Sequence, residues 1–317
     1  MPQDPAPWVS IVMPTFNSAS FLASTIESVR AQSFDGWELI LCDDGSTDDT
    51  ARVTGELLAR DPRIRSTHCD HGGPAVARNT GLACSNRRSE FVVFLDSDDT
   101  WEPDALAVLV DALESAPGHV AAYGLARGTD MEGHPFAADD LAQSMRHRTI
   151  LRSGTCMFLP ADAPTSFEAM LLKNCMVTPG TTLIRRAALT RAGELDPATS
   201  PADDWDLFLR LSRQSDLLLV DHVILNWRRH PDSLANTDRR WRYACYVVRR
   251  RAIACPDNTI AHRDAAREAL LSDSRNSLSD MVTSLRRREV RNAIVGAVFV
   301  LLGYGTYVRS LGGRRRR

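Results

Sequence analysis

Apolar runs of strand length alternate with segments of helical period through the first 124 residues, and this alternation limits the fold more than any other feature. "VSIVMPTF", residues 9–16, is rich in β-branched residues and reads as a buried strand stopped at Pro14. "WELILC" at 37–42, "RIRSTHC" at 63–69, "EFVVFL" at 90–95 and "HVAAYG" at 119–124 read as four more. Between them lie helical segments. Asn17 or Ser18 can cap a helix whose Phe21, Leu22, Ile26 and Val29 keep helical spacing. Asp48 and Asp49 fall in the first turn of another, and "GPAVARNTGLAC" forms a third. Pro103 suits the first turn of a helix whose apolar face is Leu106, Leu109, Val110 and Leu113. Strands that alternate with helices pair in parallel, so the expected fold class is α/β, a mostly parallel central sheet with helices on both faces. Ligands of such sheets bind beyond the C-terminal ends of the strands.

Residues 125–165 show weak periodicity and several glycines and prolines, and read as a variable loop region. Then come "TTLIRR", a helix "AALTRAG", a helix in "PADDWDLFLRLSRQ" with acids in its first turn, and a strand "DLLLVDHVIL" at 216–225. From about residue 238 the pattern is helical and arginine-rich. A boundary near 235 therefore divides a domain at 1–235 from a helical C-terminal extension at 236–317. Within the extension, "AIVGAVFVLLGYGTYV", residues 293–308, is uncharged and lies between arginine clusters. It is shorter than the ~20 residues needed to span a bilayer. Two readings stay open: a helix packed on the body, or peripheral membrane contact through 290–317 at an anionic surface.

Composition narrows the partners. A formal charge of −2 gives no reason to expect nucleic-acid binding. The seven cysteines are dispersed and none forms a C-x-x-C pair, which fits a reducing compartment. "MPQDPAPW" has no basic and apolar leader pattern, so no signal peptide is expected and the cytoplasm is the expected location, with any membrane contact peripheral at its inner face.

Acids collect where the strands end. Asp96-Ser97-Asp98 follows "FVVFL" and places oxygen ligands for a hard divalent cation, Mg²⁺ or Mn²⁺. Alone, the pattern is equally a surface turn that caps the next helix. Asp43 and Asp44 open the turn "DDGSTDDT" after a neighbouring strand. Carboxylates there can accept hydrogen bonds from a nucleobase or a ribose, although Asp, Gly, Ser and Thr are also ordinary turn formers. "HGGPAVARNTG" offers the glycine pair Gly72 and Gly73 and one cation, Arg78, which suits phosphate recognition as well as a solvated helix start. Asp203, Asp204 and Asp206 start a helix, where acids are common for dipole reasons alone. His230 in "WRRHPDS" is a candidate metal or phosphate ligand, though a lone histidine is more often structural.

Taken together, "VSIVMPTFN", "LILCDDGSTDDT", "GGPAVARNTGL", "FVVFLDSDDTWEPDAL", "GTTLIRRAAL" with "AGELDP", "DDWDLFLRL" and "RRHPDS" resemble family 2 glycosyltransferases of the GT-A fold, across about residues 8–235. The resemblance implies a Rossmann-like GT-A domain, with a nucleotide-binding part at about 8–124 and an acceptor part at about 125–235. It implies that Pro14, Thr15, Asn17, Asp43, Asp44, Gly73, Arg78 and Asp96 line the nucleotide site. Asp44 would contact the base, Asp96 the ribose or the metal, and Asp98 the metal. His230 falls where a diphosphate- or metal-contacting residue lies, and Asp204 corresponds to the catalytic base. The expected donor is a nucleotide-diphosphate sugar, a UDP-sugar first, and the expected acceptor a glycan or lipid-linked hydroxyl in surface polysaccharide or glycolipid assembly. The family commonly has Glu-Asp at positions 203–204 and Asn at position 71, where this chain has Asp-Asp and His71. The Q-x-x-R-W signature of processive synthases is absent, which implies single addition; the family's direct displacement implies inversion.

Two alternatives come from other classes. "FVVFLDSDDT" also fits the D-x-D-x-T motif of haloacid-dehalogenase-like phosphatases, with Lys173, the one lysine of the chain, as the charge clamp. Some 95 residues with full strand–helix units precede the motif, and the acid turn at 43–44 would then go unexplained. The other alternative is a non-catalytic domain that only binds sugar nucleotides, against which all the expected acids are present.

Overall fold

The computed structural model describes residues 7–152, 155–233, 241–286 and 290–312. Four parallel strands form one half of the sheet: β1 (Val9–Thr15), β2 (Trp37–Asp43), β3 (Ile64–His68) and β4 (Phe91–Phe94). They are linked by α1 (Leu22–Arg30), α2 (Thr50–Leu58) and α3 (Pro74–Cys84). The second half comprises β5 (Thr100–Trp101), β6 (Ala121–Thr129), β9 (Thr182–Arg185) and β10 (Leu218–Arg228). The strand order is β3-β2-β1-β4-β9-β6-β10-β5. β9 runs antiparallel to both neighbours, β4 and β6, and β5 antiparallel to β10; the other pairs are parallel. Nearly every residue of β1, β2 and β4 is buried, so both faces of the sheet are covered, as continuous rather than alternating hydrophobicity requires.

α4 (Ala105–Ser115) follows Pro103 and buries Leu106, Leu109, Val110 and Leu113 against β6, β9 and β10. α1 begins at Leu22, later than the expected cap, because the carbonyl of Ser18 accepts from the amides of Phe21 and Leu22 in a preceding turn. The stretch 125–165 differs from the expectation of a loop. β6 runs on to Thr129; α5 (Leu141–Arg146) then precedes a hairpin of β7 (Thr149–Arg152) and β8 (Thr155–Phe158). The following α6 (Phe167–Leu172) is capped by the Ser166 hydroxyl, which accepts from the amide of Ala169. α7 (Arg186–Ala192) and α8 (Asp203–Ser212) complete this half.

The expected boundary at residue 235 lies outside the described residues. Beyond it come α9 (Trp241–Ala254), α10 (Ile260–Arg286) and α11 (Val290–Gly312). They are not detached from the sheet domain. In α9, Arg249 donates to the Leu172 carbonyl at 3.0 Å and lies 5.2 Å over the Trp205 ring, while Arg251 pairs with Asp196 at 2.7 Å. Ala244, Val248, Ala252 and Ala266 join the main hydrophobic core. α10 packs against α6 and α9, and α11 against α10.

Candidate active site

Two acid groups meet beyond the C-terminal ends of β1, β2 and β4. The first comes from the turn after β4. Its central Ser97 is buried: its hydroxyl lies 2.7 Å from that of Ser18, and its carbonyl accepts from Thr25 at 2.9 Å. That anchor fixes Asp96 and Asp98 on either side, each a little under one third exposed. Asp99 turns inward; its Oδ2 accepts from Thr178 at 3.1 Å and its Oδ1 from the Arg228 amide at 3.2 Å. Burial first, then the charges of Asp98 and Asp96, hold the Asp99 carboxyl well above the usual carboxylate range.

The second group comes from the first turn of α8. Asp203 is 1% exposed and accepts from Nη1 of Arg78 at 2.8 Å; Nη2 of the same guanidinium donates to Asp96 at 2.6 Å. One buried arginine on α3 thus joins the end of β4 to the start of α8. The Arg78 charge is stabilised by both carboxylates, and Asp96 still sits above its ordinary pKa because burial outweighs that attraction. Asp204, next along, is buried, and its Oδ1 accepts from the Trp205 amide at 2.6 Å. Burial, reinforced by the neighbouring Asp203 charge, pushes the Asp204 carboxyl up to about 7. Asp206 faces elsewhere, paired with Arg210 at 2.9 Å.

His230, just past β10, places Nε2 2.9 Å from Oδ2 of Asp98. Among the described residues no three His, Cys, Asp or Glu side chains converge into a ready-made metal cage. An imidazole and a carboxylate at hydrogen-bond distance, with Asp96 close by in sequence and half turned to Arg78, are still a donor set that suits a hard cation. Mg²⁺-like ions commonly take one or two protein ligands and complete their shell with phosphate oxygens and water.

The turn after β2 is tied to its neighbours on both sides. Asn17 adopts a left-handed backbone with φ 49, which asparagine tolerates, and its Oδ1 accepts from the Thr47 amide at 2.8 Å. Asp43 Oδ1 accepts from the amide and the hydroxyl of Ser46. Asp44 is buried; Oδ1 accepts from the Gly72 amide at 2.8 Å and Oδ2 from the Gly73 amide at 2.9 Å. Gly73 can offer its amide because φ 86 is open to glycine, and it leads directly into α3 and Arg78. Thr15 is buried and its carbonyl accepts from the Asp44 amide; Pro14 is half-buried. Pro14, Thr15, Asn17, Asp43, Asp44 and Gly73 therefore form one rim, and Arg78, Asp96, Asp98, Asp204 and His230 the adjoining wall.

Arg78 was expected to face phosphate, yet here both arms of its guanidinium are occupied by carboxylates. Asp203 was legible only as a helix-start acid; its pairing spans 125 residues. Thr178, which fastens Asp99, carried no sequence signal, and Arg228, although part of "RRHPDS", fastens it through its backbone amide, which a sequence does not record. Lys173, the clamp that the phosphatase alternative requires, is exposed and donates to the carbonyl and hydroxyl of Ser144.

A family model described as Glycosyl transferase family 2 matches residues 10–189. A putative teichuronic acid biosynthesis glycosyltransferase of Bacillus subtilis, TuaG, is 40% identical over 101 residues, 32% of this chain and 39% of that protein. Matches to two longer relatives take in only 25% and 18% of their lengths, so this chain spans well under half of those curated relatives. Among solved structures, TarS of S. aureus in complex with UDP-GlcNAc superposes with a TM-score of 0.65 at 19% identity, over 93% of this chain and 81% of that one. The mannosyltransferase PcManGT of Pyrobaculum calidifontis, in complex with GDP-Man and Mn²⁺, gives 0.60 at 16% identity, over 96% and 88%. At those identities the likeness is one of fold, a curled, mostly parallel sheet of the GT-A type.

Proposed function

This chain belongs to glycosyl transferase family 2, and from that premise we propose that it moves one sugar from a nucleotide-diphosphate sugar to an acceptor hydroxyl, with inversion at the anomeric carbon. The observation that carries this reading is that the buried Arg78 bridges Asp96 to Asp203, which brings the acid turn holding Asp96 and Asp98 up to the helix start holding Asp204. A donor site and a base then share one wall.

The rim of Asn17, Asp43, Asp44 and Gly73 would receive the nucleoside, with the diphosphate directed toward Asp96, Asp98 and His230. Mg²⁺ or Mn²⁺, when bound, would be held by Asp98 and His230 beside Asp96, and would offset negative charge on the departing diphosphate. UDP-GlcNAc and GDP-Man, with which TarS and PcManGT were solved, are donors of this class, and a UDP-sugar is the first one to try.

Asp204 is poised as general base because a carboxyl near 7 both binds a proton well and is substantially ionised at neutral pH. Its neighbour Asp203 is committed to Arg78, which leaves Asp204 to take the proton of the acceptor hydroxyl. The oxygen then attacks the anomeric carbon from the side opposite the diphosphate; the C–O bond forms as the bond to the diphosphate breaks, and the configuration inverts. TuaG is named for teichuronic acid biosynthesis, so a surface polysaccharide or a lipid-linked glycan is the acceptor class proposed here.

Calorimetry with a panel of nucleotide sugars, with and without Mn²⁺, tests the donor site on the native chain and on Asp98→Ala. Metal-dependent binding of one sugar nucleotide, lost in the variant, is expected. Binding that is equally tight without metal, or equally tight in Asp98→Ala, would remove Asp98 from that role.

A further inference from the structure

α11 leaves a row of large apolar side chains uncovered. Ile294 is 59% exposed, Val298 46% and Leu301 74%, at the spacing that puts them on one face of a helix. Val295 and Tyr304 widen the row. The other side of α11 is fitted closely to α10. A Cβ on Gly296 would stand 2.9 Å from Met281 Cβ and from the Ser277 carbonyl oxygen, and one on Gly303 would overlap Ser274. These partners descend along α10 as α11 ascends, so the two helices are antiparallel. Leu278 and Val282 of α10, also exposed, stand at the level of Gly296. Contiguous apolar surface of this kind marks an interaction site.

The charge around it is one-sided. Residues 286–317 contain nine arginines and one glutamate, a surplus of eight positive charges; the whole chain carries −2, so residues 1–285 carry −10. Arg286 and Arg309 stand exposed at the two ends of the row. Among the described residues no helix is long and apolar enough to cross a membrane.

We propose that α11, with the adjoining end of α10, is a docking face for an anionic lipid surface, on which the helix lies in the plane of the interface. Apolar side chains enter the headgroup boundary while arginines at both ends meet lipid phosphates. A second copy of the chain fits the face poorly. Because both ends of the row are cationic, parallel and antiparallel pairing each set arginine against arginine. The acidic body is repelled by the same surface that attracts the helix, which holds the body off the lipid. This inference stands apart from the identity of donor and acceptor.

Flotation of the full chain with vesicles tests it, using phosphatidylcholine alone and an equal mixture with phosphatidylglycerol, at low and high salt. The chain is expected to float with the mixed vesicles only and to be released by salt. Ile294→Asp combined with Leu301→Asp, at exposed positions, should float at least about tenfold less, a loss of about 1.4 kcal/mol. Its melting curve should be unchanged. No flotation with the mixed vesicles, equal flotation with both kinds, or equal flotation of the variant would overturn the proposal. So would a dimer in light scattering that the variant dissolves. The lipid and salt comparison on the native chain decides the matter even if the variant melts early.

Discussion

Asp204 makes a prediction that its neighbours do not. With its carboxyl near 7 in the free enzyme, kcat/KM should rise about tenfold per pH unit below that value and level off above it. Asp204→Asn should flatten the profile and cut turnover by ~10²–10⁴-fold while donor affinity holds; an equal loss in both would move the base elsewhere. The same shift has a stability consequence. A carboxyl raised from 3.8 to about 7 holds a proton in the fold that the unfolded chain has already released, so ionisation weakens the fold as pH climbs through that window. Asp204→Asn should therefore unfold later than the native chain at about pH 8, with the gain gone near pH 4, in denaturant titrations. Arg78→Met strands Asp203 in the interior and leaves Asp96 without its cation, at a cost of about 3–5 kcal/mol by the same titration at neutral pH. The acids were all legible in the sequence. Which of two adjacent aspartates is committed to an arginine was not, because that arginine stands on a different helix in a different half of the sheet.

At the scale of elements, Asp44 is a staple between two loops. Its two oxygens take the amides of Gly72 and Gly73, and a neutral amide side chain can accept with only one. Asp44→Asn should cost about 1.5–3 kcal/mol locally. Amide exchange at Gly72 and Gly73 should quicken and donor affinity should fall, both readable without turnover. If exchange there stays as slow as in the native chain, the staple is not what orders the loop. Five strands and four helices within the first 124 residues could be read because each sits in a continuous apolar or helically periodic run; even the four-residue β4 lies inside the run "FVVFL". The stretch 125–165 could not. α5 has six residues and the hairpin strands β7 and β8 four each, too short to display a period against a glycine- and proline-rich background. The antiparallel β9 was likewise invisible as such, since an apolar run does not record its direction.

For the molecule as a whole, the helical extension is part of the fold it follows. Val248, Ala252, Ile253 and Leu270 lie in the main core, and Arg249 covers the ring of Trp205, one residue from Asp204. Burying a large aliphatic side chain is worth about 1.5–3 kcal/mol, and a domain's net stability is only about 5–15. A chain truncated after residue 235 should therefore melt well below the full chain and lose turnover; an unchanged melting temperature would make the extension an independent unit. The separation of charge adds a directional property. With −10 on the first 285 residues and +8 on the last 32, the molecule is a large electric dipole, and an anionic sheet exerts a torque on it as well as a pull. It would swing tail-first within a Debye length or two, ~8 Å each at physiological salt. Ionic strength would then govern how often encounters succeed, and the apolar row how long they last.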